Sequence, residues 1–142
     1  MTRRRARHAF LVPSLLLPLV AACRNDSLGP DQLGDPTASA AVSPAGATIR
    51  NGGTTTATVV FTVTGGLRLN KIVVSRGYAG ISIVDKSSKM SGTTLTRVFT
   101  IGADNTIPAG AHQISFRPSV AETSGSAAPQ ITEAVFTLTV SQ

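Results

Sequence analysis

Thr56-Ala57-Thr58-Val59-Val60-Phe61-Thr62-Val63-Thr64 is the stretch that decides the fold. Val59, Phe61 and Val63 fall on one side of an extended chain and Thr58, Val60, Thr62 and Thr64 on the other, the period of a half-buried β-strand. Gly65-Gly66 ends it. Outward from there the same grammar repeats. Leu69 to Ser75 is richer in aliphatics and reads as a central strand buried on both faces. Gly77 and Gly80 bracket a turn around Tyr78, Ile81 to Asp85 gives a short strand, and the polar run Lys86 to Gly92 ends it.

Thr93 to Ile101 places Leu95, Phe99 and Ile101 on one face. Arg97 shares that face, which calls for an edge position, a bulge, or a register shift between Arg97 and Val98. Ala111 to Phe116 groups His112, Ile114 and Phe116, and Ala134 to Ser141 turns Phe136, Leu138 and Val140 inward. With Val42 to Ile49 as the first strand, the expectation is seven strands and negligible helix, because no stretch combines a 3.6-residue apolar period with capping signals. That is an all-β chain, an immunoglobulin-like antiparallel β-sandwich rather than a closed barrel.

A resemblance supports this. Val42-Ser43-Pro44 with Thr54 to Thr64, Gly77-Tyr78-Ala79-Gly80-Ile81, Thr93 to Ile101, Pro108-Ala109-Gly110 before an alternating strand, and the closing Phe136-Thr137-Leu138-Thr139-Val140 resemble bacterial surface Ig-like domains. The resemblance implies spacer, adhesion or envelope-assembly roles and brings no catalytic residues. His112 departs from it, standing where such modules often carry Tyr or another bulky residue.

The start of the chain has a different character. Arg3, Arg4, Arg5 and Arg7 precede 14 apolar or small residues, Ala9 to Ala22, in the layout of a secretory signal peptide. A spanning helix needs roughly 20 apolar residues, and Pro13 and Pro18 each remove a helix hydrogen bond. Val20-Ala21-Ala22-Cys23 is similar to the lipobox of bacterial lipoproteins: an aliphatic residue, two small residues and the cysteine that takes a diacylglyceryl group. The resemblance implies cleavage between Ala22 and Cys23 and lipidation of Cys23. The alternative is ordinary cleavage that leaves a free thiol.

Arg4-Arg5 is followed by Ala6-Arg7-His8, which lacks the hydrophobic pair of a twin-arginine signal, so general secretion is expected. Arg24, rather than an aspartate, follows the cysteine. In a source with two membranes this favours the outer one.

Arg24 to Ala40 contains Gly29, Pro30, Gly34, Pro36 and three aspartates without an apolar period, the composition of a flexible linker; its alternative is an extra strand. The expected organisation is a signal peptide over 1–22, a lipidated N-terminus and linker over 23–40, and the Ig-like domain over 41–142.

Charge and residue inventory narrow the function. Four of the thirteen Lys and Arg lie in the signal, leaving nine against seven Asp and Glu, so the formal charge of +6 falls to about +2 after cleavage. Those nine read as scattered, Trp is absent, and Tyr78 is the lone aromatic that is not Phe. A phosphate-tracking stripe with stacking aromatics is missing, so no nucleic-acid partner is expected. With Cys23 acylated, no disulfide can form.

His112 is the one histidine left after cleavage, and no Gly-x-Ser-x-Gly elbow accompanies it. It reads as a core or strand-end residue with a backbone partner. Asp85, Asp104, Glu122 and Glu133 each fall at a strand end or turn, and Asp104-Asn105-Thr106 before Pro108 reads as a turn. No zinc set, calcium loop or phosphate-binding loop is spelled out, so no cofactor is expected.

The polar segment Val120 to Ile131 is the longest loop tip and a place where binding could sit. The sequence thus points to a non-enzymatic, lipid-anchored cell-envelope protein with a structural or protein-binding domain, in contact with a membrane through lipid on Cys23 and with an envelope protein partner. The alternative is a glycan- or small-ligand-binding module using Tyr78.

Overall fold

The computed structural model describes residues 34–121 and 127–142. They form nine strands and no helix: β1 (Thr37–Ser43), β2 (Gly46–Arg50), β3 (Thr54–Val63), β4 (Arg68–Arg76), β5 (Ile81–Ser91), β6 (Thr94–Ala103), β7 (Gly110–Ala121), β8 (Gln130–Thr132) and β9 (Ala134–Ser141). Two sheets result, ordered β5-β6-β3-β1-β8 and β2-β9-β7-β4. This is the immunoglobulin arrangement, four strands in A-B-E-D order facing C, F and G, with a second short piece of A beside G and the short β8 added beside A.

The alternation in β3 becomes burial. Ala57, Val59 and Phe61 are completely enclosed and Val63 nearly so, while Thr58, Val60 and Thr62 stay half-exposed. From the other sheet Ile114, Phe116, Phe136, Leu138 and Val140 meet them, with Ile81, Ile101 and Ile107 completing the core. Phe99 of β6 and Phe116 of β7 join the layers with ring centroids 5.0 Å apart. Each buried Phe, Ile or Leu contributes roughly 1.5–3 kcal/mol of transfer free energy, so this layer holds the domain together without any cross-link.

Glycine makes two of the turns. Gly65 and Gly66 (φ 63° and 75°) carry the chain from β3 to β4, where the Leu67 amide donates to Thr64 O at 3.2 Å. Gly92 (φ 56°) is the first of the two residues linking β5 and β6, where a tight II′ hairpin requires positive φ.

Several expectations are corrected. The first strand is two strands: the chain leaves one sheet at the cis Ser43–Pro44 bond and enters the other at Gly46. Strand β1 starts at Thr37, inside the stretch read as linker to Ala40; Ala38 is fully buried opposite Val63, and alanine and serine gave no apolar signal. The sandwich is mixed rather than purely antiparallel, since β1 pairs with β8 and β2 with β9 in parallel.

Strand β4 is an edge rather than a central strand, with Val73 and Val74 37–40% exposed. The polar run Lys86 to Ser91 continues β5 instead of ending it, because an edge strand is held by backbone pairing to β6 and needs no apolar alternation. Arg97 lies on an unbroken interior strand. The irregularity that accompanies it is in the partner, between Asp85 and Ser87 of β5.

Candidate functional site

The two sides of the sandwich differ. On one, the chain switches sheets twice, from β1 to β2 and from β8 to β9, so the two sheets are tied there by the chain itself. On the other, β4 and β5 are the outermost strands of opposite sheets, and between them is an open mouth. The mouth holds a cleft of about 320 Å³ lined by Val74 and Arg76 from β4, Ile83 and Asp85 from β5, and Arg97 and Phe99 from β6.

Strand register explains why charged groups sit there. Arg97 lies opposite Val59 and Asp85 opposite Phe99, both fully or nearly buried, so both charged side chains point between the sheets. They tolerate that direction because no strand covers them: their side chains are 34% and 37% exposed, and the guanidinium donates to Asp85 Oδ2 at 2.7 Å. Arg97 Nε is buried without a hydrogen-bond partner among the described residues. Arg76 donates to Ile81 O, tying β4 to the start of β5.

The cations that read as scattered are gathered by the fold. Arg68, Lys71 and Arg76 are on β4, Lys86 and Lys89 on β5, and Arg97 on β6, so six of the eight Lys and Arg among the described residues belong to the three strands at the mouth, with one acidic residue, Asp85. A regional count would have found this: residues 68–97 hold those six cations and that one acid.

At one end of the domain, Gly52, Gly53, Gly80 and Gly102 with Asp104 and Asn105 line a second open cleft of about 480 Å³. Asp104 is occupied within its own turn, accepting from Thr106 N at 2.8 Å and from Thr106 Oγ1 at 2.6 Å. The Thr106 hydroxyl and then its amide hold the carboxyl below the ordinary carboxylate range. Asp104 through Thr106 is thus the turn that the sequence indicated.

His112 has the backbone partner expected of it, Pro108 O at 2.9 Å from Nε2, and meets Tyr78 in a T-shaped contact with centroids 5.5 Å apart. Asp85 is paired with Arg97, and Glu133 is exposed between β8 and β9. Among the described residues, the carboxylates are therefore not gathered around His112. Among the described residues, no group of three or more His, Cys, Asp or Glu is placed to hold a metal ion. Ala22, Cys23 and Glu122 lie outside the described residues, as does the rest of the loop tip from 122 to 126.

No protein-family model matches the chain, and no curated protein matches its sequence. Similar solved structures include domains 4 and 5 of the S-layer protein SbsC, at 14% identity over 76% of this chain and 54% of that one, with a TM-score of 0.47. A family 123 glycoside hydrolase from Clostridium perfringens is 8% identical over 73% of this chain and 27% of that one, with a TM-score of 0.49. The ZirS C-terminal domain is 13% identical over 99% of this chain and 88% of that one, with a TM-score of 0.36. The chain spans about half of the S-layer fragment and about a quarter of the hydrolase.

Proposed function

We propose that this chain is a non-enzymatic, lipid-anchored protein of a bacterial cell envelope, with a β-sandwich that serves a structural or protein-binding role outside the cytoplasm. The observation that carries the reading is Val20-Ala21-Ala22-Cys23 at the close of an arginine-led apolar stretch. Acyl chains on Cys23 would anchor the mature protein, each buried methylene contributing about 0.8 kcal/mol. From Cys23 to the first strand at Thr37 the chain is short. A flexible linker of that length would span roughly 20 Å, so the domain would stand close to the lipid headgroups. Arg24 after the cysteine favours the outer membrane in a two-membrane source.

A protein-binding role is supported by the long strands β4 and β5, each with one edge that no strand pairs among the described residues. Such edges accept an added strand through main-chain hydrogen bonds. Fractionation of cells producing Cys23→Ser tests the anchor: the variant should lose lipid label and leave the membrane fraction. A variant that stays membrane-bound would refute it.

A further inference from the structure

The mouth between β4 and β5 combines three features: a free backbone edge, uncovered apolar side chains on inner faces, and concentrated positive charge. The Lys71–Arg76 half of β4 pairs in unbroken register with β7, from Lys71 opposite Ser119 to Arg76 opposite Ile114, and among the described residues its other edge has no partner. Val74 points inward, opposite the buried Phe116, yet is 37% exposed. Met90 likewise points inward, opposite Leu95, yet is 59% exposed. In both cases the covering strand is missing. Arg97 adds a buried Nε–H with no acceptor among the described residues.

We propose that this mouth receives an extended acidic peptide segment of a partner protein, added as a further strand along Lys71–Arg76 of β4. Its backbone would satisfy the free edge, and every second side chain would point inward. Inward apolar ones would cover Val74, Ile83 and Met90, while inward carboxylates between them would meet Arg76 and Arg97, which lie on the same inner face and whose guanidinium groups favour paired oxygens.

The charge selects the occupant. A second copy of this chain, placed edge to edge, would set Lys71 and Arg76, or Lys86 and Lys89, against their own counterparts, and facing like charges destabilise a strand pair. A phosphate polymer would use the cations but leave the apolar residues and the backbone edge bare.

This inference rests on the protein-binding part of the function proposed above and not on the lipid. The test uses the full chain carrying Cys23→Ser, in neutral detergent, titrated with a capped (Val-Thr-Glu-Thr)2 peptide, which sets Val and Glu in turn on one face, a (Val-Thr-Lys-Thr)2 peptide and inorganic polyphosphate, alongside sedimentation of the chain alone. The acidic peptide should bind saturably and shift the amide signals of Lys71 to Arg76, and the basic peptide should not bind. Arg76→Gln with Arg97→Gln should weaken binding at least tenfold. Should that pair fail to fold, Val74→Asp must weaken it similarly.

The proposal is overturned by absent or unsaturable binding, by undiminished affinity in the folded variants, by shifts confined to other strands, by tighter binding of polyphosphate, or by a dimer formed through β4 or β5. Failure here would leave the anchor untouched, since fractionation of Cys23→Ser reads the anchor without any peptide.

Discussion

Arg97 and Asp85 form an ion pair, 2.7 Å between Nη1 and Oδ2, on the inner face of a sheet whose neighbouring inner residues are core. Water still reaches both side chains because the sandwich is open on that side, so the attraction is screened. Exposed pairs of this kind contribute about 0–1 kcal/mol. Asp85→Asn should therefore lower stability by no more than about 1 kcal/mol in a urea titration. A loss of several kcal/mol would mean that the pair is enclosed and the mouth closed.

Phe61 is the contrasting case, since it is fully buried in the second half of β3. Phe61→Ala removes its transfer free energy and leaves a cavity, a change that costs about 3–5 kcal/mol. Domains of this size have only about 5–15 kcal/mol in reserve. The expected outcome is a large fall in the urea midpoint, or failure to fold at 37 °C.

Asp104 offers a test by pH. Its folded pKa lies below the ordinary value because Thr106 donates twice to the carboxylate. A depressed carboxylate pKa contributes stability that is fully present above the unfolded value and is lost as pH falls through the folded value. Thr106→Val removes the hydroxyl donor and keeps the amide. In an NMR titration the Asp104 carboxyl should then titrate at higher pH than in the parent chain, and the acid-side loss of stability contributed by this residue should shrink. An unchanged Asp104 titration would show that the turn does not hold the carboxylate.

Gly80 belongs to the same corner. A Cβ there would lie 2.5 Å from Asp104 Oδ2 and 2.7 Å from both Cγ and Oδ1. Gly80→Ala must therefore displace the Asp104 turn. It should shift the amide signals of Asp104 to Ile107 while leaving those of β3 in place, and a spectrum unchanged at Asp104 would contradict the packing described.

What was legible in the sequence follows one rule. Where burial is one-sided and complete, as at Val59, Phe61, Phe136 and Leu138, side-chain alternation records it, and the strands were readable. Edges record much less. Strand β5 beyond Asp85 is polar because backbone pairing with β6 alone holds it, so Lys86 to Ser91 resembled a loop. Strand β4 misled in the opposite sense, its aliphatics Val73 and Val74 standing on an open edge.

Sheet switching left a faint mark, Pro44 between two short runs of small residues. The basic mouth went unread because its residues are dispersed along three strands that only the topology brings to one side. Cys23 lies outside the described residues, and its lipid attachment is a proposal from the sequence alone, since export and lipid attachment are read from an extended chain.

The central claim is that Cys23 carries the protein's attachment to a membrane. Its most direct test is mass spectrometry of the protein isolated from a producing bacterium, read at the N-terminal peptide. The account predicts a chain that begins at Cys23 with a thioether-linked diacylglyceryl group. A chain that begins elsewhere, or a Cys23 with a free thiol, would contradict it.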